Sequence, residues 1–225
     1  MQPAEEPQIN TEQTEPGKSE MKQPDEQSGV YLEGHIKIHD PDNGEVFVNK
    51  RNAIHYENFS EALALSIGNQ QYGWIHDMAF GNGGTAVDST GIITYLPTNT
   101  SGSNSSLYNQ TYMKTVDPNS NSNTDKTRNK IEIRHIPGTV YTDVFITCTL
   151  DYGEPSGQQA FDNSSTVNDT FVFDELGLKY YSGSTTAGKL LTHVIFHPIQ
   201  KSLNRLIQID YTIRIQTLTS LTTAA

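Results

Sequence analysis

Three closely spaced glycines are the first residues that could form a ligand-binding site. Gly81, Gly83 and Gly84 lie within the stretch HDMAFGNGGTAVDST, residues 76–90. Glycine-rich loops let backbone N–H groups approach phosphate, but such loops read G-x-x-x-x-G-K-[ST], or G-x-G-x-x-G at the start of a helix. Here no lysine follows, and the chain continues into another predicted strand. We therefore expect a structural turn or bulge, where glycine supplies backbone freedom, with no cofactor or small-molecule ligand.

Two pairs of histidines are the next candidates, as metal ligands. His35 and His39 are four residues apart, as are His193 and His197, so each pair shares one face of a predicted strand. Alternate residues on a strand lie roughly 7 Å apart, so the members of a pair lie about twice as far apart. Zinc–nitrogen bonds are about 2 Å long. We expect no metal within either pair, and a site built between the two pairs stays open.

The acidic pair Asp174–Glu175 and the cysteine do not form a recognisable catalytic motif. Asp174 and Glu175 are adjacent on a predicted strand and should face opposite sides, which makes a poor acid–base couple. We expect them to shape the entrance of their strand. Cys148 is the single cysteine, which excludes an internal disulfide, and its apolar alternation from Val144 to Leu150 predicts a buried core residue. No G-x-S-x-G elbow occurs, and we predict no catalytic residues and no enzyme activity.

Four tyrosines are candidates for surface recognition. Tyr108 and Tyr112 lie in a long polar stretch, and Tyr180 and Tyr181 lie beside a predicted turn. Recognition residues are often carried on loops and turns, and tyrosine rings can stack on sugars. A carbohydrate- or receptor-binding module is therefore one hypothesis. The alternative is that these rings pack locally at strand edges.

The composition restricts the classes of partner. The chain has 225 residues, of which 34% are hydrophobic and 18% charged, with a formal net charge of -11. The 15 Lys and Arg residues are scattered, which argues against a direct nucleic-acid partner. No apolar run approaches the ~20 residues of a membrane span. The first thirty residues are acidic and contain no apolar core of a signal peptide.

The chain divides into an arm and a domain. Residues 1–30 are rich in Glu, Gln and Pro and hold little that could be buried. They form either a floppy tail or an arm that becomes ordered along a neighbouring subunit. We expect residues 31–225 to form one domain with a long polar insertion at about 98–129. That insertion is either a projecting loop or a partly ordered excursion.

Alternation and turn signals predict the elements of this domain. Residues 31–50 form a hairpin about the turn DPDNGE. The segment NFSEALALSIG forms a short helix, capped by Asn58 with Glu61 as its capping-box partner and ended by Gly68. Further strands follow, and the alternation over residues 207–215 predicts a half-buried antiparallel strand. Many strands without βαβ alternation indicate an all-β fold, an antiparallel β-sandwich with one short helix and long polar loops.

Two segments together resemble a known family. One is SEALALSIG followed by GWIHDMAFGNGGTAVDSTGIITYL, which contains an A-x-G-x-G-G turn. The other is FDELGLKYYSG with GKLLTHVIFHPIQKSLNRLIQIDYTIRI, which contains an E-x-G-L strand. In order and spacing they resemble virion structural proteins of tailed bacteriophages, in particular β-sandwich modules of tail-collar, fibre-anchoring, neck and baseplate components. The resemblance covers roughly residues 31–217.

The resemblance implies a non-enzymatic component of the virion. Such a protein assembles with copies of itself and with other virion proteins, as an adaptor or fibre anchor in the neck, tail or baseplate. A capsid decoration or cement protein is a close variant. The resemblance brings no catalytic site, metal or cofactor with it.

Overall fold

The computed structural model describes residues 27–155, 170–183 and 188–220. Most of the predicted arm lies outside these residues. In chain order the elements are β1 (Gln27–His39), β2 (Val46–Arg51), β3 (Ala53–Ile54), α1 (Tyr56–Ile67), β4 (Ile75–Gly81), β5 (Thr85–Val87), β6 (Ile93–Tyr95), β7 (Gln110–Thr115), β8 (Lys130–His135), β9 (Tyr141–Leu150), β10 (Thr170–Tyr180), β11 (Thr192–Ser202) and β12 (Ile207–Ser220).

Two five-stranded antiparallel sheets form the fold. The first has the spatial order β2-β1-β12-β9-β8 and the second the order β3-β11-β10-β4-β7, while β5 and β6 form a separate ribbon. The β1–β2 hairpin pairs as the turn signals predict. The all-β sandwich with one helix is therefore confirmed.

The alternation of β12 explains how the two sheets come to share a core. Ile207, Ile209, Tyr211 and Ile213 are fully buried, as predicted for one face of this strand. Side chains from both sheets join them in one continuous apolar cluster. Cys148 lies in the same cluster, and burial raises the pKa of its thiol to about 12. Its predicted role as a core residue is confirmed.

The helix begins earlier than its sequence signal indicates. His55 is the N-cap, and its Nδ1 accepts a hydrogen bond from the backbone N–H of Asn58. The prediction that Asn58 caps the helix is wrong, because its side chain is buried and donates to the carbonyl of Leu190 at 2.8 Å. Glu61 forms a salt bridge with Lys189 instead of a capping box. Tertiary contacts thus replace the local capping box.

The polar stretch 98–129 is a partly ordered excursion and not one projecting loop. It contains β7, which pairs with β4 along the second sheet. Leu107 packs with Ala79 and Leu190 in a small apolar cluster. The segment around Leu107 therefore covers part of the outer face of the second sheet. This cover is what positions the buried polar site.

Candidate functional site

The glycine turn binds two carboxylates of the chain itself. The N–H of Gly83 donates to Glu175 Oε1 at 3.1 Å. The N–H groups of Gly84 and Thr85 donate to the two oxygens of Asp174, each at 2.9 Å, and the Thr85 hydroxyl donates to the second of them. The loop between β4 and β5 is therefore an anion cradle whose ligands are side chains of β10.

The close approach of neighbouring atoms explains why glycine occupies these three positions. A left-handed backbone conformation does not explain it. None of the three has a φ in the left-handed region. A Cβ on Gly81 would lie 2.4 Å from the carbonyl oxygen of Asn109, and one on Gly83 would lie 2.8 Å from the Asn109 nitrogen. A Cβ on Gly84 would lie 3.0 Å from Ile195. At Gly81 and Gly83 any side chain would push the loop away from the carboxylates, whereas at Gly84 the neighbouring atoms would have to move by a few tenths of an ångström.

Glu175 is the centre of the buried site. Besides Gly83, the backbone N–H groups of Tyr108 and Asn109 donate to its carboxylate at 2.9 and 2.8 Å. His193 Nε2 donates to Oε2 at 2.9 Å, and both side chains are fully buried. Burial alone would raise the pKa of Glu175, but the hydrogen bonds from His193, Asn109 and Tyr108 outweigh it and lower the pKa.

The tautomer of His193 follows from its second contact. The backbone N–H of Asn99 donates to Nδ1 of His193 at 2.8 Å, so Nδ1 is an acceptor and the ring proton is on Nε2. The imidazole therefore links the 99–109 segment to Glu175. A histidine–carboxylate pair can orient a base for catalysis, but here both ring nitrogens are engaged within the fold.

Asp174 differs from Glu175 in its electrostatics. Burial, with a contribution from the negative charge of Glu175, raises the pKa of Asp174 despite its hydrogen bonds to Gly84 and Thr85. The expectation that the two acids act on opposite sides of the strand is wrong, because both carboxylates accept from residues 83–85. The pairing of β10 with β11 shifts register at this point, between Phe173 and Glu175.

The other histidines do not converge with His193. His35 is exposed, and His39 Nε2 contacts Asp210 at 2.9 Å on the outer face of the first sheet. His197 Nδ1 lies 3.2 Å from the Tyr95 hydroxyl. Among residues 27–155, 170–183 and 188–220, no three His, Cys, Asp or Glu side chains are grouped to hold a metal.

The four tyrosines do not form one recognition surface. Tyr180 is only 2% exposed, so its predicted surface role is wrong. Tyr112 is half-buried against Phe80, with ring centroids 6.1 Å apart, and burial raises its pKa. Tyr108 is exposed, and its hydroxyl donates to the carbonyl of Pro97 at 2.8 Å. Tyr180 is buried because side chains alternate between the two faces of β10. It lies two residues from Leu178 and therefore faces the core with it.

Tyr181 belongs to an aromatic patch that the sequence does not reveal. Its ring stacks on Trp74 at 5.0 Å and 22° and lies 6.4 Å from Tyr72 and 5.1 Å from His76. Trp74 and Tyr72 are 39% and 41% exposed. These residues come from the ends of two adjacent strands, β4 and β10, which is why their proximity depends on the sheet order.

An apolar groove of about 700 Å³ lies next to this patch, between the two sheets and α1. Trp74 forms part of its wall, and the indole N–H donates to Asp117 Oδ2 at 3.0 Å. Ser66 and Asn119 add polar groups. The apolar lining is supplied by Phe59, Ala62, Leu63, Ile75, Ile131, Ile133, Val144, Leu191, Ile213 and Ile215.

The groove exists because the first sheet is not covered along its whole width. In one cross-strand row, Ile213 pairs with Val144 and Val144 pairs with Ile133. Ile213 is fully buried, Val144 is half-buried and Ile133 is 72% exposed. Cover is therefore lost progressively from the middle of the sheet to its β8 edge. The arrangement can bind apolar groups.

Comparison with known proteins gives no relative from which a function could be transferred. No family model matches the chain, and no curated protein or solved structure matches it significantly. Within the described part of the chain, no helix has the length and apolar character needed to cross a membrane. The candidate sites must therefore be interpreted from their geometry.

We expect Glu175→Gln to destabilise the fold, because the Gln amide would turn a donor towards buried N–H donors. Each buried group left unsatisfied costs about 1–3 kcal/mol. The lowered pKa of Glu175 means that its contribution is present above its ordinary value of 4.5 and is lost as the pH falls through the folded value. Chemical denaturation should show a deficit at pH 7 that shrinks below pH 4.5. The exposed Glu132→Gln is the control, and an equal deficit there would contradict the assignment.

Because Trp74 is the single tryptophan, the groove carries its own reporter. We expect the apolar dye 8-anilinonaphthalene-1-sulfonate to bind the folded protein and to quench Trp74 emission. Ile133→Asp should weaken binding several-fold, because its negative charge at the groove repels the sulfonate of the dye. Ile67→Asp is the matched control, since Ile67 is 84% exposed on α1 and does not line the groove. Equal dye affinity in both variants would contradict the groove as the binding site.

Proposed function

We propose that the protein is a structural component of a tailed-phage virion that joins neighbouring proteins in the neck, tail or baseplate. The observation that carries the proposal is the apolar groove that opens beside the β8 edge. Large contiguous apolar surfaces on a protein mark interaction sites. A groove of this kind suits the side chains of another protein.

Apolar side chains outside the groove lining are exposed as well. Ile133, Ile136 and Val140 are all exposed along β8 and the turn that follows it. Apolar contact across such a surface is the main favourable term in protein association. These exposed apolar side chains support a role in assembly.

The edge of β8 supports the same role. β8 pairs with β9 on one side, and within the described residues no strand lies on its other side. An open edge presents unpaired backbone donors and acceptors that can template a strand from another chain. Groove and edge together offer both side-chain and backbone contacts to one partner.

The two motifs that carry the family resemblance contact each other. The glycine turn at Gly83 and Gly84 donates to Glu175 and Asp174, which begin the E-L-G-L strand. These polar groups are used to hold loops and strands together. This supports an architectural use of the motifs in a non-enzymatic, virion-located protein.

We expect purified particles to contain a few to tens of copies of the protein, because neck, tail and baseplate rings have low copy numbers. Quantitative mass spectrometry against the major capsid protein measures this. A copy number similar to that of the capsid protein would favour decoration of the head, and absence from particles would contradict both. Ile133→Asp should reduce incorporation, whereas the exposed control Ile67→Asp should not.

The aromatic patch favours a second candidate, a carbohydrate-binding role. Trp74, Tyr72 and Tyr181 present rings of the kind on which sugars stack, beside the polar groups of Asp117 and Asn119.

If this role is correct, a glycan array should show binding that Trp74→Ala reduces at least about tenfold, the equivalent of 1.4 kcal/mol. Tyr56→Ala, an exposed tyrosine on α1 outside the patch, should leave binding unchanged. No binding by the native protein would eliminate this candidate.

A further inference from the structure

The strand β8 holds two basic residues and one acidic residue in a protein that is acidic as a whole. Residues 126–135 hold four of the 15 Lys and Arg residues of a chain whose net charge is -11. Lys130 and Arg134 lie 3.3 and 4.0 Å from the same carboxylate, that of Glu132. One carboxylate is thus shared by two basic side chains on the strand, while Arg128 is already paired with Asp125 and Asp151. Lys130 and Arg134 therefore leave an excess of positive charge on β8 that an acidic segment could neutralise.

The N-terminal residues of the chain have the complementary charge. Residues 1–26 contain seven acidic and two basic residues, a net charge of -5. Proline interrupts this segment repeatedly and cannot donate to a strand ladder. Residues 8–15, QINTEQTE, form a proline-free stretch of eight residues. It is long enough to pair with residues 130–134, which are five of the six residues of β8.

We propose that residues 8–15 of one copy add as an antiparallel strand to the β8 edge of a second copy. The proposal rests on the proposed function, since it identifies the partner of the same edge and groove. It joins an acidic segment to a basic edge.

The register of this pairing is specified by two contacts. Placing Ile9 opposite Ile133 puts an apolar side chain at the mouth of the groove, on the face that Ile133 shares with Ile131. In an antiparallel ladder the same register sets Glu12 opposite Lys130. The same register therefore forms both an apolar pair, Ile9 with Ile133, on the groove face and an ion pair, Glu12 with Lys130, on the other face. A shift by one residue would lose both.

Chain length favours a second copy over the same copy. Lys130 lies level with Lys37 of β1 through the register of β8, β9, β12 and β1. Glu12 on the added strand lies four strand spacings from β1, and Gln27 is a further ten residues along β1, so the two are about 38 Å apart. The fifteen residues from Glu12 to Gln27 span at most about 50 Å when fully extended. Binding within one chain would stretch this linker across the sheet.

A contact of this kind is heterologous, because the arm of one copy meets the edge of the next. Heterologous contacts close into rings when the rotation between subunits allows, and otherwise form open chains. The ring-shaped parts of a virion need this kind of link. The inferred contact therefore gives the proposed assembly role a specific mechanism.

Disulfide trapping in the purified full-length protein tests the contact. Chains carrying Ile9→Cys are mixed with chains carrying Ile133→Cys under mild oxidation, and the native Cys148 is buried. Directly opposed residues in an antiparallel pair have Cα atoms about 4.5–5.5 Å apart, within disulfide range. We expect a covalent dimer on non-reducing gels. Ile67→Cys replaces Ile133→Cys as the exposed control and should give little dimer.

The charge pair provides an independent test. Lys130→Glu should lower the dimer yield several-fold, and adding Glu12→Lys on the other chain should restore it. A residue needed only for folding would show no such rescue.

Equal yields with Ile133→Cys and Ile67→Cys would overturn the proposal. So would a disulfide that forms only within a chain carrying both Ile9→Cys and Ile133→Cys. Neither result would affect the copy number in particles, so this proposal and the virion role fail separately.

Discussion

The buried carboxylate of Glu175 is the constraint on which the surrounding structure depends. A buried charge is costly unless it is fully hydrogen-bonded. Here three backbone N–H groups and His193 supply the bonds, from the β4–β5 loop, the 108–109 segment and β11. Those segments must therefore converge on β10. The close approach this demands explains why Gly81 and Gly83 cannot carry side chains.

The polar groups of the buried site are bonded to one another within the fold. Glu175 and His193 have the geometry of a base with its orienting acid, yet the backbone N–H of Asn99 occupies the nitrogen that would accept a substrate proton. Asp174 is held by the loop at Gly84 and Thr85. The hydrogen bonds of Glu175, His193 and Asp174 hold the surrounding loops in place. The groove by contrast has apolar walls, and at Ile133 they are exposed.

Local patterns predicted the strands, whereas the site depended on contacts between distant segments. The alternation over residues 207–215 is local, so both the strand and its buried face could be predicted. Tyr180 could have been placed correctly by parity with Leu178. The N-cap at His55 could not be predicted from local sequence. It depends on the burial of Asn58, whose side chain bonds to the carbonyl of Leu190, just before β11. The exposure of β8 could not be predicted either, since KIEIRHI has the same alternation whether its apolar face is covered or exposed.

The two sheets divide these roles between them. The second sheet holds the carboxylate cradle and is covered on its outer side near Leu107, while the first sheet ends in the open β8 edge. Ile133 makes no contribution to the hydrogen-bond network of Glu175, so its surface can be altered without loosening that network. A short added strand buries little area and binds weakly on its own. Repetition around a ring would make such links collectively strong, because each additional contact forms at high effective concentration.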